Sequence, residues 1–153
     1  VLASPCRSCH PETIYGSTKL IAERLVLNAG HNVARYYNVV QSSDNVFEIW
    51  DKIEDPSQHK VMPCNRYFIS IDEAVALTLF AGMKESGRYT ISPGGSRYMV
   101  DLHFDLYGVD GDAEFPRRGD RVSELRNSTS ESIVDINSYP FEKISSEHDA
   151  AMQ

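Results

Sequence analysis

The sequence predicts an α/β fold. Segments with apolar residues at helical spacing alternate along the chain with short runs rich in Val, Tyr and Ile, and glycine or proline separates most of them. Strands alternating with helices build a sheet covered by helices rather than a sandwich or a bundle.

The elements follow in order. Val1-Leu2-Ala3 reads as the tail of a buried strand, so the chain is expected to begin in the middle of a fold. Tyr15 to Ala29 is the clearest helix, with an apolar stripe of Leu20, Ile21, Leu25 and Val26 and a stop at Gly30. Asn32 to Val40 reads as one strand, Val46 to Ile53 as a short helix, and Pro56-Ser57-Gln58 as a loop. Arg66 to Ser70 is a short extended piece. The helix that begins at Ile71 carries Ala74, Val75, Leu77, Leu79 and Phe80 and ends near Gly82. Arg88 to Ser92 reads as a strand closed by the turn at Pro93-Gly94-Gly95, and Tyr98 to Leu106 as a helix ending at Gly108. Beyond Gly108 the pattern weakens. Residues 1–125 are therefore read as the structured unit and 126–153 as a polar extension.

Composition narrows the classes of function. At 153 residues with 41% hydrophobic content, the chain has enough apolar material for one real core. A net charge of −7 argues against nucleic acid or an anionic membrane as a partner. No apolar run reaches the about 18 residues of a membrane span, and no signal peptide is visible. Three cysteines are too few for a disulfide framework, which points to a reducing, cytoplasmic location.

Chemistry concentrates at Tyr15-Gly16-Ser17-Thr18-Lys19. Residues four apart share a helix face, so the phenol and the ammonium can address one ligand. A free phenol titrates near pH ~10, and a cation beside it favours the phenolate. Such a pair suits proton exchange with a sugar hydroxyl during hydride transfer, which calls for a nicotinamide. The chain has no Gly-x-Gly-x-x-Gly; Pro93-Gly94-Gly95 follows a strand but lacks that spacing.

Around this pair stand Ser4-Pro5-Cys6-Arg7-Ser8-Cys9-His10-Pro11 and, further on, Leu20-Ile21-Ala22-Glu23. With them the chain resembles the extended short-chain dehydrogenases/reductases, in the branch of nucleotide-sugar 4,6-dehydratases and epimerases of polysaccharide biosynthesis. That branch carries Ser-Thr-Asp-Lys-Ala, a spacer with a proline, and Tyr- or Met-Gly-Ala-Thr-Lys. Ser4, Pro11, Gly16, Thr18, Lys19 and Glu23 fall in its register. Downstream, Ala34-Arg35-Tyr36-Tyr37-Asn38-Val39 looks like its Arg-Tyr-x-Asn-Val strand. The stretch from Arg66 to Val75 is similar to its Arg-Phe segment ending in Glu-Ala, and Arg117 to Glu124 to its Arg-Pro-Gly-Glu-Lys-Leu-His-Glu. The resemblance covers roughly residues 1–125, and several collinear weak motifs are more specific than one.

The resemblance implies the C-terminal, substrate-binding half of a Rossmann-type enzyme, with most of the dinucleotide-binding half missing. It implies NAD or NADP as cofactor and a nucleotide-diphosphate sugar, such as a UDP-sugar, as substrate. Tyr15 and Lys19 would be the acid/base dyad and touch the cofactor, with Ser4 as their nearest hydroxyl partner. Asn38, Arg66 and Arg117 would hold the nucleotide. A homo-oligomer, or pairing with a separate cofactor-binding half, is implied as well.

Two departures qualify this. Pro5-Cys6-Arg7 stands where the branch has Thr-Asp-Lys, whose Asp is the acid of water elimination, and a thiol near pKa ~8.5 replaces it poorly. Epimerase or general nucleotide-sugar oxidoreduction is therefore favoured over dehydratase. Gln41 to Asn45 likewise replaces a Gly-Ser-Arg-Gly-Ser segment. The rival reading is a non-catalytic binding or assembly module of the same descent. A smaller alternative rests on Cys6-Arg7-Ser8-Cys9-His10, which spells a c-type haem attachment motif, or with Cys64 a zinc set; loop residues without metal are the preferred reading.

Overall fold

In the computed structural model, residues 1–8, 11, 13–91, 95–113, 132–134 and 140–143 are described. Strand β1 (Leu2–Pro5) runs parallel to β2 (Val33–Tyr36), with Leu2 opposite Val33 and Pro5 opposite Tyr36. Parallel neighbours need a crossover, and α1 (Ile14–Asn28) supplies it. Its first turn is fixed by Thr13, whose hydroxyl accepts from the Gly16 amide at 3.1 Å.

The chain then leaves this sheet. The single strand expected over Asn32 to Val40 is two strands. β2 stays in the main sheet, whereas β3 (Asn38–Val39) pairs in parallel with β5 (Phe68–Ile69) in a separate two-stranded sheet. The cause is local. The Asn38 amide and side chain both bond the Tyr67 carbonyl, at 3.2 and 2.8 Å, while the Tyr37 and Tyr67 rings pack 5.4 Å apart. The extended piece at Arg66 to Ser70 divides for the same reason. β4 (Asn65–Arg66) pairs antiparallel with β7 (Arg97–Tyr98), and β5 serves the other sheet.

Between them, α2 (Val46–Asp51) is capped by the Asn45 side chain, and Pro56–Gln58 closes as a turn of 3-10 helix rather than an open loop. α3 (Ile71–Gly82) opens on a capping box, Ser70 bonding the Glu73 amide and Glu73 bonding back to the Ser70 amide. It leads into β6 (Arg88–Ile91), parallel to β2. α4 (Met99–Tyr107) ends at Gly108, whose φ of +73° favours glycine. The segment read as a polar extension contributes β8 (Ser132–Val134) and β9 (Pro140–Lys143), giving a sheet of order β1-β2-β6-β9-β8. The last two strands are antiparallel, and their runs are too short to carry a sequence period. The whole is a mixed α/β fold.

Alternation along β2 and β6 gives the main sheet two unlike faces. Ala34, Tyr89 and Ile91 pack with Leu77, Phe80 and Ala81 of α3 in an apolar core. Arg35 and Arg88 point the other way and meet α1 at Glu23. This overturns the expected stripe on α1. Ile21 and Leu25 are 57% and 65% exposed, whereas Gly16, Leu20 and Glu23 are buried. The spacing is still helical, but the face of the sheet that α1 covers is charged and selects a carboxylate. A second core gathers Trp50, Val61, Cys64 and Met99. Among the described residues no helix is long and apolar enough to cross a membrane.

Candidate active site

A cleft of about 740 Å³ opens beyond the C-terminal ends of β1 and β2, where open parallel sheets commonly bind ligands. Its wall on the β1 side is the turn that starts at Pro5, with Cys6 and Arg7, and the N-terminal turn of α1, with Tyr15. Opposite stand Asn38 and Arg66, with Trp50 and Met99 from the second core and Asn45 from the loop before α2.

Tyr15 is half exposed, and cations flank it. Lys19 Nζ lies 5.4 Å and Arg7 Cζ 5.7 Å from the centre of its ring. Lys19 stands behind the tyrosine, outside the cleft lining. Asn38 and Arg66 come into the same cleft from separate small sheets. Asn38 is held through its bond to Tyr67, and Arg66 by the Asn65 carbonyl at 2.9 Å and Met62 Sδ at 3.2 Å. Arg66 is buried, which fixes its planar fork in one place. Thus Tyr15, Asn38 and Arg66, far apart in sequence, share one cavity. Arg117 lies outside the described residues.

Ser4 sits elsewhere. Its side chain is buried beneath α1, where its hydroxyl donates to the Glu23 carboxylate and approaches the Ser8 hydroxyl at 3.3 Å. Cys6 and Cys64 are buried and both line the cleft. Cys9 and His10 lie outside the described residues, so the haem and zinc sets cannot be assembled from the described side chains.

Sequence reasoning missed Asn45, Trp50 and Lys60 as cleft residues. Asn45 had a usable signal, an Asx residue directly before a helix. Its side chain caps α2 and also donates to the Val40 and Ser42 carbonyls, both at 2.6 Å, fastening the loop at the cleft rim. The buried histidines His59 and His103, behind Trp50, carried no signal because 44 residues separate them.

The fold and the placement of the cleft define a mixed α/β protein with a cleft at the strand ends. The structure of Pen from Bacillus thuringiensis has a similar fold, with a TM-score of 0.58 and 20% identity over 78% of this chain and 41% of that one. The probable polysaccharide biosynthesis protein EpsC of Bacillus subtilis (strain 168) is 32% identical over 124 residues, 72% of this chain. The chain spans 20% of the length of EpsC. Residues 1–120 match the family model described as polysaccharide biosynthesis protein, and the chain belongs to that family.

Proposed function

We propose that this chain is the substrate-binding half of a Rossmann-type, NAD(P)-dependent nucleotide-sugar epimerase or dehydratase, with epimerase favoured. The observation that carries the proposal is the convergence of Tyr15, Asn38 and Arg66 on one cleft at the strand ends. In this reading Arg66, with Arg117, holds the diphosphate, because a fixed guanidinium matches phosphate oxygens in pairs. Asn38 offers an amide to the nucleotide, and Tyr15 takes the proton from the sugar C4 hydroxyl. Lys19 positions the ribose of the cofactor and sets the field at the phenol.

Bound NAD would accept the hydride from C4. The residues present suit only one end of such a cofactor. Tyr15 lines the cleft with Lys19 close beside its ring, but the chain has no glycine-rich turn for the pyrophosphate. Turnover therefore requires a cofactor-binding half, supplied as further chain or as a partner, and the chain alone should bind NAD weakly.

Calorimetry with UDP-sugars is the direct test. Binding to this chain, weakened about tenfold or more by Arg66→Ala, is the expected result; no heat at millimolar UDP-sugar would sink the proposal. With a cofactor-binding half added, Tyr15→Phe should lower turnover by about 100-fold or more. Equal turnover by the variant would remove Tyr15 as acid/base.

A second reading, an inactive binding module of the same descent, is favoured by Cys6 in the place of the acid and by the engagement of Ser4 with Glu23. UDP-sugar binding without turnover in the completed enzyme would select it.

A further inference from the structure

His59 and His103 form a buried chain of contacts between two main-chain carbonyls. His59 Nε2 is 3.0 Å from the Ile53 oxygen, and His103 Nδ1 is 3.1 Å from the Val109 oxygen. Carbonyl oxygens only accept, so each of these outer nitrogens carries a hydrogen. The inner nitrogens, His59 Nδ1 and His103 Nε2, are 3.0 Å apart. A neutral imidazole has a single ring hydrogen, and each ring has already used it. Two neutral rings would therefore set lone pair against lone pair at hydrogen-bond distance, with both side chains shielded from water.

We infer that His59 and His103 hold a third ring proton between them, a singly charged pair that acts as a pH-sensitive fastener behind the Trp50 wall of the cleft. The inference does not depend on which ligand the cleft takes.

The surroundings suit one positive charge. Asp110 acts on His103, Asp55 caps the turn before His59, and Asp51 accepts from Tyr107, whose ring lies 4.8 Å from that of His59. Lys60, the neighbouring cation, is tied to Asp112. The face of Trp50 stacks on His59 at 6.1 Å and an interplanar angle of 4°, a favourable partner for a cation. Burial, and then the charge on the His59 side, hold His103 below the ordinary imidazole range. His103 is thus the acceptor, and a fourth proton stays off. Gly111 closes the space, since a Cβ there would meet the His59 carbonyl oxygen at 2.9 Å and His103 Cε1 at 3.1 Å.

The link to the cleft is Trp50. It lines the cavity, packs edge to face with His103 at 4.9 Å, and donates from Nε1 to the Lys60 carbonyl at 3.2 Å. When the third proton leaves, the inner contact has to open, and the surface on which Trp50 stacks moves.

The linkage has a distinctive shape. Unfolded, the two rings together bind one proton at about pH 6.5, two below it and none above. Folded, the pair keeps one. Stability should therefore peak near that pH and fall on both sides, whereas a neutral pair gives stability rising monotonically with pH. The experiment is long-range proton–nitrogen NMR of the imidazoles from pH 5.5 to 8.5. His10, His31 and His148 are replaced by Ala so that only the pair remains. Three protonated nitrogens out of four at pH 6.5 support the inference, as does emission from Trp50, the only tryptophan, that brightens as the proton leaves. Two protonated nitrogens throughout, with a monotonic urea midpoint, overturn it. Should the triple variant not fold, the urea midpoint and Trp50 emission of the unsubstituted chain decide in the same way.

Discussion

The Glu23 carboxylate receives Arg35 in a two-point contact, Nη2 at 2.5 Å and Nε at 3.2 Å, with both side chains fully shielded from water. Arg88 Nε adds a bond at 2.9 Å, and the Ser4 and Ser8 hydroxyls donate to the other oxygen. One acid on α1 thus ties together the strands β1, β2 and β6. Arg35 Nη1 is buried without a hydrogen-bond partner among the described residues. Removing one member of a buried ion pair leaves a charge uncompensated, at a cost of about 3–5 kcal/mol. Glu23→Gln should therefore lower the urea midpoint sharply. Glu23→Leu combined with Arg35→Met and Arg88→Met should recover most of the loss, because an apolar replacement of the whole cluster strands no charge. A triple variant as unstable as Glu23→Gln would contradict this.

The same cluster sets an acid limit. Burial pushes the Glu23 carboxyl up, but the charge of Arg35 and its hydrogen bond, with those of Ser4 and Ser8, outweigh it and leave the carboxyl below its ordinary 4.5. A depressed carboxylate contributes stability that is complete above the unfolded value and is lost as pH falls through the folded one. Urea midpoints should thus drop steeply below about pH 4.5, and Glu23→Gln should flatten that limb. A wild-type slope retained in Glu23→Gln would assign the acid limit to other groups.

Tyr107 gives a prediction at the alkaline end. Its hydroxyl donates to Asp51 at 2.7 Å, and burial followed by that carboxylate pushes it up to about 12. A raised phenol contributes stability below the unfolded value near ~10 that is lost as pH rises through the folded one. Spectrophotometric titration should show a phenol that stays neutral beyond pH ~11, and Tyr107→Phe should delete it.

How much of this was legible follows from what each signal depends on. The helices showed in the sequence because apolar spacing and stop residues such as Gly30 and Gly108 are local. The buried face of α1 did not show, because Arg35 and Arg88 choose Glu23 only once β2 and β6 lie side by side. The break at Tyr37 escaped for a related reason: Tyr67, which draws Asn38 away, is 29 residues downstream. Tyr15, Asn38 and Arg66 were found as motif positions, and the cleft they share required the fold. His59 and His103 were out of reach altogether, since two lone histidines become a pair only through the packing of α4 on the loop that follows Gln58.

Gly16 connects fold and site most directly. A Cβ on this residue would stand 2.8 Å from the Arg7 carbonyl oxygen and 3.2 Å from Pro11 Cα. Both are main-chain groups, so no side-chain rotation relieves the clash, and the turn at Cys6–Ser8 must move away from α1. Alanine favours the helix by about 1 kcal/mol. Overpacking against backbone costs about 1–3 kcal/mol, so Gly16→Ala should be destabilising or close to neutral. Its larger effect falls on geometry, because Arg7 and Tyr15 would separate across the cleft wall. Gly16→Ala is thus expected to weaken ligand binding at the cleft more than it lowers the urea midpoint. Gly30→Ala serves as the control: a Cβ there meets nothing within 4 Å, so its left-handed φ of +78° costs stability and spares the cleft. If the two variants affected binding alike, the close approach of α1 to the turn would have no part in shaping the site.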